Sequence, residues 1–201
     1  MIRVVNANFV KSASNIDESL DEGVLEVAFL GRSNVGKSSL INALTNKKQL
    51  AKSSSTPGKT QLINFFDVEF EDDDKKRFFA RFVDLPGFGY AKVSKGKKDE
   101  WQKELNRFIE KRVSIRLFVH LIDSRHIDLE IDENVSNYLQ TIKRADQDIL
   151  NIYTKSDKLN QKETNQILHV NKNAVLVSVL KKTNIDKANI AIFNSLFGNI
   201  S

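Results

Sequence analysis

Apolar positions along this chain follow two alternating rhythms. LEVAFL (25–30), LFVHLID (117–123), ILNIYT (149–154) and AVLVSV (174–179) are short, almost unbroken apolar runs. Runs of that length and composition predict strands covered on both faces. Between them the apolar spacing widens to three and four. KSSLINALTN (37–46) places Leu40, Ala43 and Leu44 on one helical side, and the polar stretch 98–112 carries Trp101, Leu105 and Phe108. Residues 129–143 align Ile131, Val135, Tyr138, Leu139 and Ile142. Asn160 with Glu163 predicts a capping box opening a further helix, and 184–197 predicts a last one, ended by Gly198. QLINFFDVEF (61–70) and RFFARFVD (77–84) flank the charged turn EDDDKK and predict a hairpin. Strands alternating with helices imply a doubly wound α/β sheet, mostly parallel, with one antiparallel hairpin strand. Residues 1–22 read as an N-terminal extension, either an edge strand or a segment packed outside, and 23–201 as one domain.

Composition narrows the classes. The chain has 201 residues, 40% hydrophobic and 28% charged, with no cysteine. That length supports one sizeable core, and the missing cysteines exclude disulfides and thiolate metal sites. The start, MIRVVNANFVKSASN, lacks the apolar run of a secretory signal. No stretch approaches the roughly 20 apolar residues of a membrane span. The expectation is a cytoplasmic protein without a membrane partner. No heptad or wide apolar stripe calls for a dimer, so a monomer is expected. Residues 92–116 hold nine basic and four acidic residues, the whole of the net charge of +5. A basic face of this kind suits a polyanion such as RNA, although Glu100 and Glu104 with Lys103 and Arg107 also read as a solvated, salt-bridged helix face.

Glycine and proline mark where the chemistry sits. Both prolines, Pro57 and Pro86, and five of the eight glycines (Gly31, Gly36, Gly58, Gly87, Gly89) fall in three short segments. The first, GRSNVGKSS (31–39), fits G-x-x-x-x-G-K-[ST] between a predicted strand and a predicted helix, the context a phosphate loop requires. Its backbone N–H groups, from Gly31 through Arg32, Ser33, Asn34, Val35 and Gly36 to Ser38, would cradle phosphate. Lys37 would reach the β- and γ-phosphates, and the Ser38 hydroxyl would bind Mg²⁺. In the third segment an apolar strand ends at Asp84, placed to hold Mg²⁺ through a water. Leu85, Pro86 and Gly87 follow, with the Gly87 N–H directed at the γ-phosphate. The second segment, SSSTPGKTQ (53–61), is small and polar like a switch loop. Here Gly58, Lys59, Thr60, Gln61 and the following Leu62 would line the nucleotide, with Thr60 as second Mg²⁺ ligand and Thr56 as the competing candidate. Lys37, Thr60 and Gly87 thus carry the expected phosphate chemistry.

TKSD (154–157) follows a predicted strand. Guanine presents an N1–H beside an exocyclic amine, and the Asp157 carboxylate would accept both; adenine has no such pair. Thr154, Lys155 and Ser156 would complete that wall, with the Lys155 stem across the base. Ser178, after the last predicted strand, would meet guanine O6 with its backbone N–H, with Val177 and Val179 on either side. Phe88 stands where many nucleotide hydrolases carry a water-orienting glutamine. It cannot orient water, so slow turnover is expected, with Asn34 a candidate holder of a K⁺ ion beside the β/γ bridge.

Together GRSNVGKSSLINAL, TPGKTQLINFF, DLPGFGYAKV, LIDSRHIDLEID and TKSD resemble the EngB (YihA/YsxC) family of bacterial GTPases, from about residue 24 to the C-terminus. The resemblance implies the three-layer P-loop GTPase fold, GTP and GDP as ligands, and Mg²⁺ at Ser38 and Thr60. It further implies a nucleotide-switched role in assembly of the large ribosomal subunit, with rRNA met by the basic face 92–116. An association with cell division and septation also attaches to the family. A nucleotide-gated binding protein with incidental hydrolysis is the alternative; a P-loop kinase ranks lower, because no lid insertion is visible. Two departures stand out: Thr154 replaces the usual asparagine, and Val-Ser-Val-Leu replaces the usual Ser-Ala-Lys. Arg125 and His126 read as structural or partner-contact residues, and His120 as a core histidine.

Overall fold

A computed structural model describes residues 2–52, 62–88, 95–127 and 129–198, and for 95–101 the backbone alone. Seven strands form one sheet in the order β1-β3-β4-β2-β5-β6-β7. They are β1 (Arg3–Ala13), β2 (Leu25–Gly31), β3 (Ile63–Glu71), β4 (Arg77–Asp84), β5 (Ile115–Asp123), β6 (Asp148–Thr154) and β7 (Val175–Leu176). From β4 to β7 every neighbouring pair is parallel. β3 runs antiparallel to both its neighbours and is the one reversed strand. The helices are α1 (Lys37–Leu44), α2 (Lys95–Lys111), α3 (Glu130–Ile142), α4 (Gln161–Val170) and α5 (Ile185–Phe197).

The unbroken apolar runs are explained by burial on two sides. Along β2, Val27 and Phe29 join a core containing Leu40, Ile41 and Leu44 of α1 and Ile192 and Phe193 of α5. Ala28 and Leu30 point the other way, into a core with Leu105 and Phe108 of α2 and Leu139 of α3. Side chains alternate along a strand, so a strand buried on both faces needs apolar residues at every position. The first core is closed by rings. Phe193 stacks edge-on to Phe70 and Phe78 with centroids 5.6 and 4.9 Å apart, which seats α5 against the hairpin.

The uncertain N-terminus is an edge strand. β1 pairs with β3 through two register shifts, beside Val5 and Val10, both of which are exposed. Such bulges kink an edge and discourage pairing with a further chain. The capping box forms as expected: Asn160 Oδ1 accepts from the Glu163 N–H, and Glu163 Oε2 from the Asn160 N–H. The last strand is shorter than the apolar run AVLVSV predicted. It ends at Leu176 because Ser178 pairs with Thr183 across a tight turn, in which Lys182 and Asn184 adopt left-handed backbone. Among the described residues no helix is long and apolar enough to cross a membrane.

One expectation for the basic stretch is corrected. Arg112 is not on a face at all; it is 2% exposed. Its Nε and Nη2 each donate to Glu26 at 2.7 Å, and Glu26 is wholly buried. The rings of Phe65 and Phe108 flank the guanidinium at 5.2 and 5.5 Å. This pair pins the end of α2 to the start of β2. Arg107 and Arg116 are engaged too, with Asp17 and Asp146 at 2.8 Å each. Lys92 and the side chains of Lys95, Lys97 and Lys98 lie outside the described residues. Removing one partner from a buried ion pair leaves the other charge stranded. Glu26→Ala should therefore cost about 3–5 kcal/mol in urea unfolding. The double variant Glu26→Met/Arg112→Met should recover most of that loss, and a cost below about 1 kcal/mol for the single change would contradict the pair's role.

Candidate functional site

The site forms where β2, β4, β5 and β6 end at their C-terminal edge, as open α/β sheets dictate. β2 runs into the loop 31–38, and two of its positions admit glycine alone. Gly36 has φ of 104°, a backbone that side chains resist. A Cβ on Gly31 would lie 2.9 Å from Val35 Cγ1 and 3.0 Å from the Leu121 carbonyl. The loop then enters α1 at Lys37, with Ser38 next and half-buried. The Lys37 ammonium contacts Asp84 Oδ1 at the end of β4; both side chains are mostly buried. The cation at the start of α1 and the carboxylate at the end of β4 thus meet beside the helix N-terminus.

The segment after β4 lies on the phosphate loop. The Leu85 N–H extends the β4–β2 ladder to Phe29 O at 3.0 Å, and Pro86 carries the chain over. The Phe88 N–H donates to Gly31 O at 3.2 Å, and Phe88 O accepts from the Ser33 N–H at 3.3 Å. Gly87 sits so close to Ser33 that a Cβ would be 3.1 Å from its nitrogen. The Phe88 ring rests 6.1 Å from that of His120. His120 is indeed a core residue: it is fully buried, and its Nδ1 meets Ser136 Oγ at 3.2 Å. Arg32 turns away from the loop, its Nε donating to the buried Asp132 of α3 at 3.0 Å.

The TKSD loop is tied directly to the phosphate loop. Thr154, in place of the usual asparagine, donates its hydroxyl to Val35 O at 2.7 Å. Lys155 adopts left-handed backbone, with φ of 59°, and donates through Nζ to Asn34 O at 2.8 Å. The Ser156 N–H donates to Val177 O at 3.1 Å, so the loop after β7 lines the same wall. Asp157 Oδ1 accepts the Ser178 hydroxyl at 2.6 Å, and that bond holds the carboxyl below its ordinary range. Ser178 thus reaches Asp157 through its side chain. Its backbone N–H, the expected guanine O6 donor, is given to Thr183 O at 3.2 Å. Val179 follows it at the turn.

Of the residues singled out in the sequence, the structure gathers 31–38, 84–88, 154–157 and 177–179 at one edge. Leu62 stands just before β3, 42% exposed. Gly58, Lys59, Thr60 and Gln61, with Thr56, lie outside the described residues. Two contributors, Asp123 and Asp132, lie within LIDSRHIDLEID, but the sequence assigned them no role at the site. Asp132 left no local signal, being 100 residues from Arg32. Asp123 did: like Asp84, it is an acid ending an apolar strand.

Comparison with known proteins shows what the chain as a whole resembles. Residues 26–196 match the family model described as 50S ribosome-binding GTPase. A probable GTP-binding protein EngB of Campylobacter lari is 59% identical over 184 residues, 92% of each chain. One of Aliarcobacter butzleri is 52% identical, covering 98% of this chain and 99% of its own. Among solved structures, a probable GTP-binding protein engB superposes with TM-score 0.64 at 24% identity, over 87% of this chain and 100% of that one. Era of Aquifex aeolicus bound to GDP and aluminium fluoride gives 0.60 at 22% identity, over 87% and 57%. The last two likenesses concern the fold.

If Ser178 orients Asp157, Ser178→Ala should weaken GDP binding by about tenfold or more, the loss of one charge-assisted hydrogen bond. Equilibrium titration checks this, and unchanged affinity would separate Ser178 from base reading.

Proposed function

This chain belongs to the EngB family of P-loop GTPases, and from that premise we propose that it is a slow, nucleotide-switched factor in assembly of the large ribosomal subunit. The observation that carries the reading is the meeting of Lys37 and Asp84 between the phosphate loop and the Gly87–Phe88 segment. Nucleotide binding would exchange partners there. Lys37 would leave Asp84 for the β- and γ-phosphates, and Asp84 would turn to a metal-bound water. Ser38, next to Lys37, and Asp84 itself offer oxygen donors, a set suited to Mg²⁺, with Thr60 as the further ligand. Mg²⁺ would neutralise charge that develops on the phosphate oxygens.

The switch follows from the two long bonds of Phe88. At 3.2 and 3.3 Å they lie at the long end of the backbone range, and a phosphate oxygen could compete for these donors. A γ-phosphate beside Ser33 would compete for this corner and recruit the Gly87 N–H. Phe88 then moves as a switch element, since its ring can neither accept nor donate a proton. The guanine-facing wall is Thr154–Asp157 with Val177–Val179. Turnover would be slow for lack of a water-orienting side chain, and a K⁺ ion held by Asn34 would supply part of the missing electrostatics. The ribosomal partner is supported by the family description and by the basic stretch 92–116, without Arg112.

Pelleting with purified large subunits tests this reading. With a non-hydrolysable GTP analogue the protein should co-sediment, and with GDP it should stay in the supernatant. In single-turnover assays, KCl should accelerate hydrolysis over NaCl at equal ionic strength. Equal pelleting in both nucleotides would remove the switch, and equal rates in the two salts would remove the K⁺ site.

A further inference from the structure

Asp123 ends β5 and belongs to none of the segments that contact phosphate or base. Its side chain is almost fully buried, yet it gathers four donors. Arg125 gives Nε at 2.9 Å and its backbone N–H at 3.2 Å to Oδ1, and Nη2 at 2.8 Å to Oδ2. Lys155 gives Nζ to Oδ2 at 2.7 Å. Burial pushes this carboxyl up, but the bonds from Arg125 and Lys155 prevail and hold it well below the usual carboxylate range. The anion is therefore permanent at neutral pH.

The second bond of the Lys155 ammonium reaches Asn34 O in the phosphate loop. Lysine is a point charge on a flexible four-carbon stem, so its fixed placement needs a fixed anion. Asp123 is that anion. Arg125 covers it from the solvent side, with a side chain 44% exposed. Its guanidinium is raised further above its ordinary range, chiefly by Asp123 and in lesser part by the field of Asp157. Asp123, Lys155 and Asn34 thus form a strut from β5 to the phosphate loop, and Arg125 braces its buried end.

We propose that Asp123 is a positioning residue of the guanine-nucleotide site, holding Lys155 across the base and against the phosphate loop, with Arg125 keeping Asp123 turned inward. This rests on the reading of Lys155 and Asp157 as base-binding residues. It also gives the DSR segment a role inside the nucleotide site.

Release of fluorescent N-methylanthraniloyl-GDP from the full-length protein tests it. Asp123→Asn keeps the shape and removes the charge, and should speed release about tenfold, the loss of one charge-assisted hydrogen bond. Arg125→Ala, a surface change, should speed it about two- to fivefold. The decisive variant is Asp123→Asn/Lys155→Ala, which should release GDP no faster than Lys155→Ala alone, because both changes cut one strut. A merely structural Asp123 would give multiplying effects in the double variant, and that result overturns the proposal. Faster release from Lys155→Ala with unchanged release from Asp123→Asn overturns it as well. Unchanged release from Lys155→Ala removes the base-site reading itself, and the proposal with it.

Discussion

Two neighbouring carbonyls, those of Asn34 and Val35, set the geometry on which the rest of the site depends. Val35 O receives the Thr154 hydroxyl and Asn34 O the Lys155 ammonium. These bonds join the loop that follows β2 to the loop that follows β6, across the intervening strand β5. On the proposed reading those two loops bind phosphate and base, so the ties would fix the span a nucleotide must match. Preorganisation of this kind lowers the ordering cost of binding. The parallel sheet supplies the frame, since its buried strands all end at this edge.

The opposite side of the site is held by contacts that a nucleotide could replace. Lys37 and Asp84 satisfy each other, and Phe88 meets the phosphate loop through two long backbone bonds. Each contact has a ready replacement in a phosphate oxygen or a metal-bound water. Under the proposed function, the tied base-side wall and the phosphate-side segment would work as a switch: the nucleotide would dock against the first and rearrange the second.

Much of this was legible in the sequence, for identifiable reasons. The phosphate loop demands glycine at 31 and 36 on steric grounds and lysine at 37 on electrostatic ones, so residue types reveal it. Buried parallel strands write themselves as apolar runs, and the Asn160 capping box spans only three residues. What stayed hidden was pairing over distance. Thr154 looked like a defect in the base motif until its hydroxyl was found on a carbonyl 119 positions away. Arg112 counted as surface charge because its partner, Glu26, is 86 positions off. Ser178 was expected to work through its backbone, and the turn to Thr183 that occupies this N–H left no mark in an apolar run. Asp123 carried a visible cue, an acid closing a buried strand, whose meaning depended on where Lys155 falls.

The central claim is that a single site reads a guanine nucleotide from both ends at once. Calorimetric titration with GDP, inosine diphosphate and ADP in Mg²⁺ tests it most directly. Inosine lacks the exocyclic amine that Asp157 accepts, and adenine lacks the N1–H as well. The account predicts binding of inosine diphosphate about tenfold weaker than GDP, and of ADP weaker by a further large factor, on the order of a hundredfold. Equal affinity for GDP and ADP would contradict it.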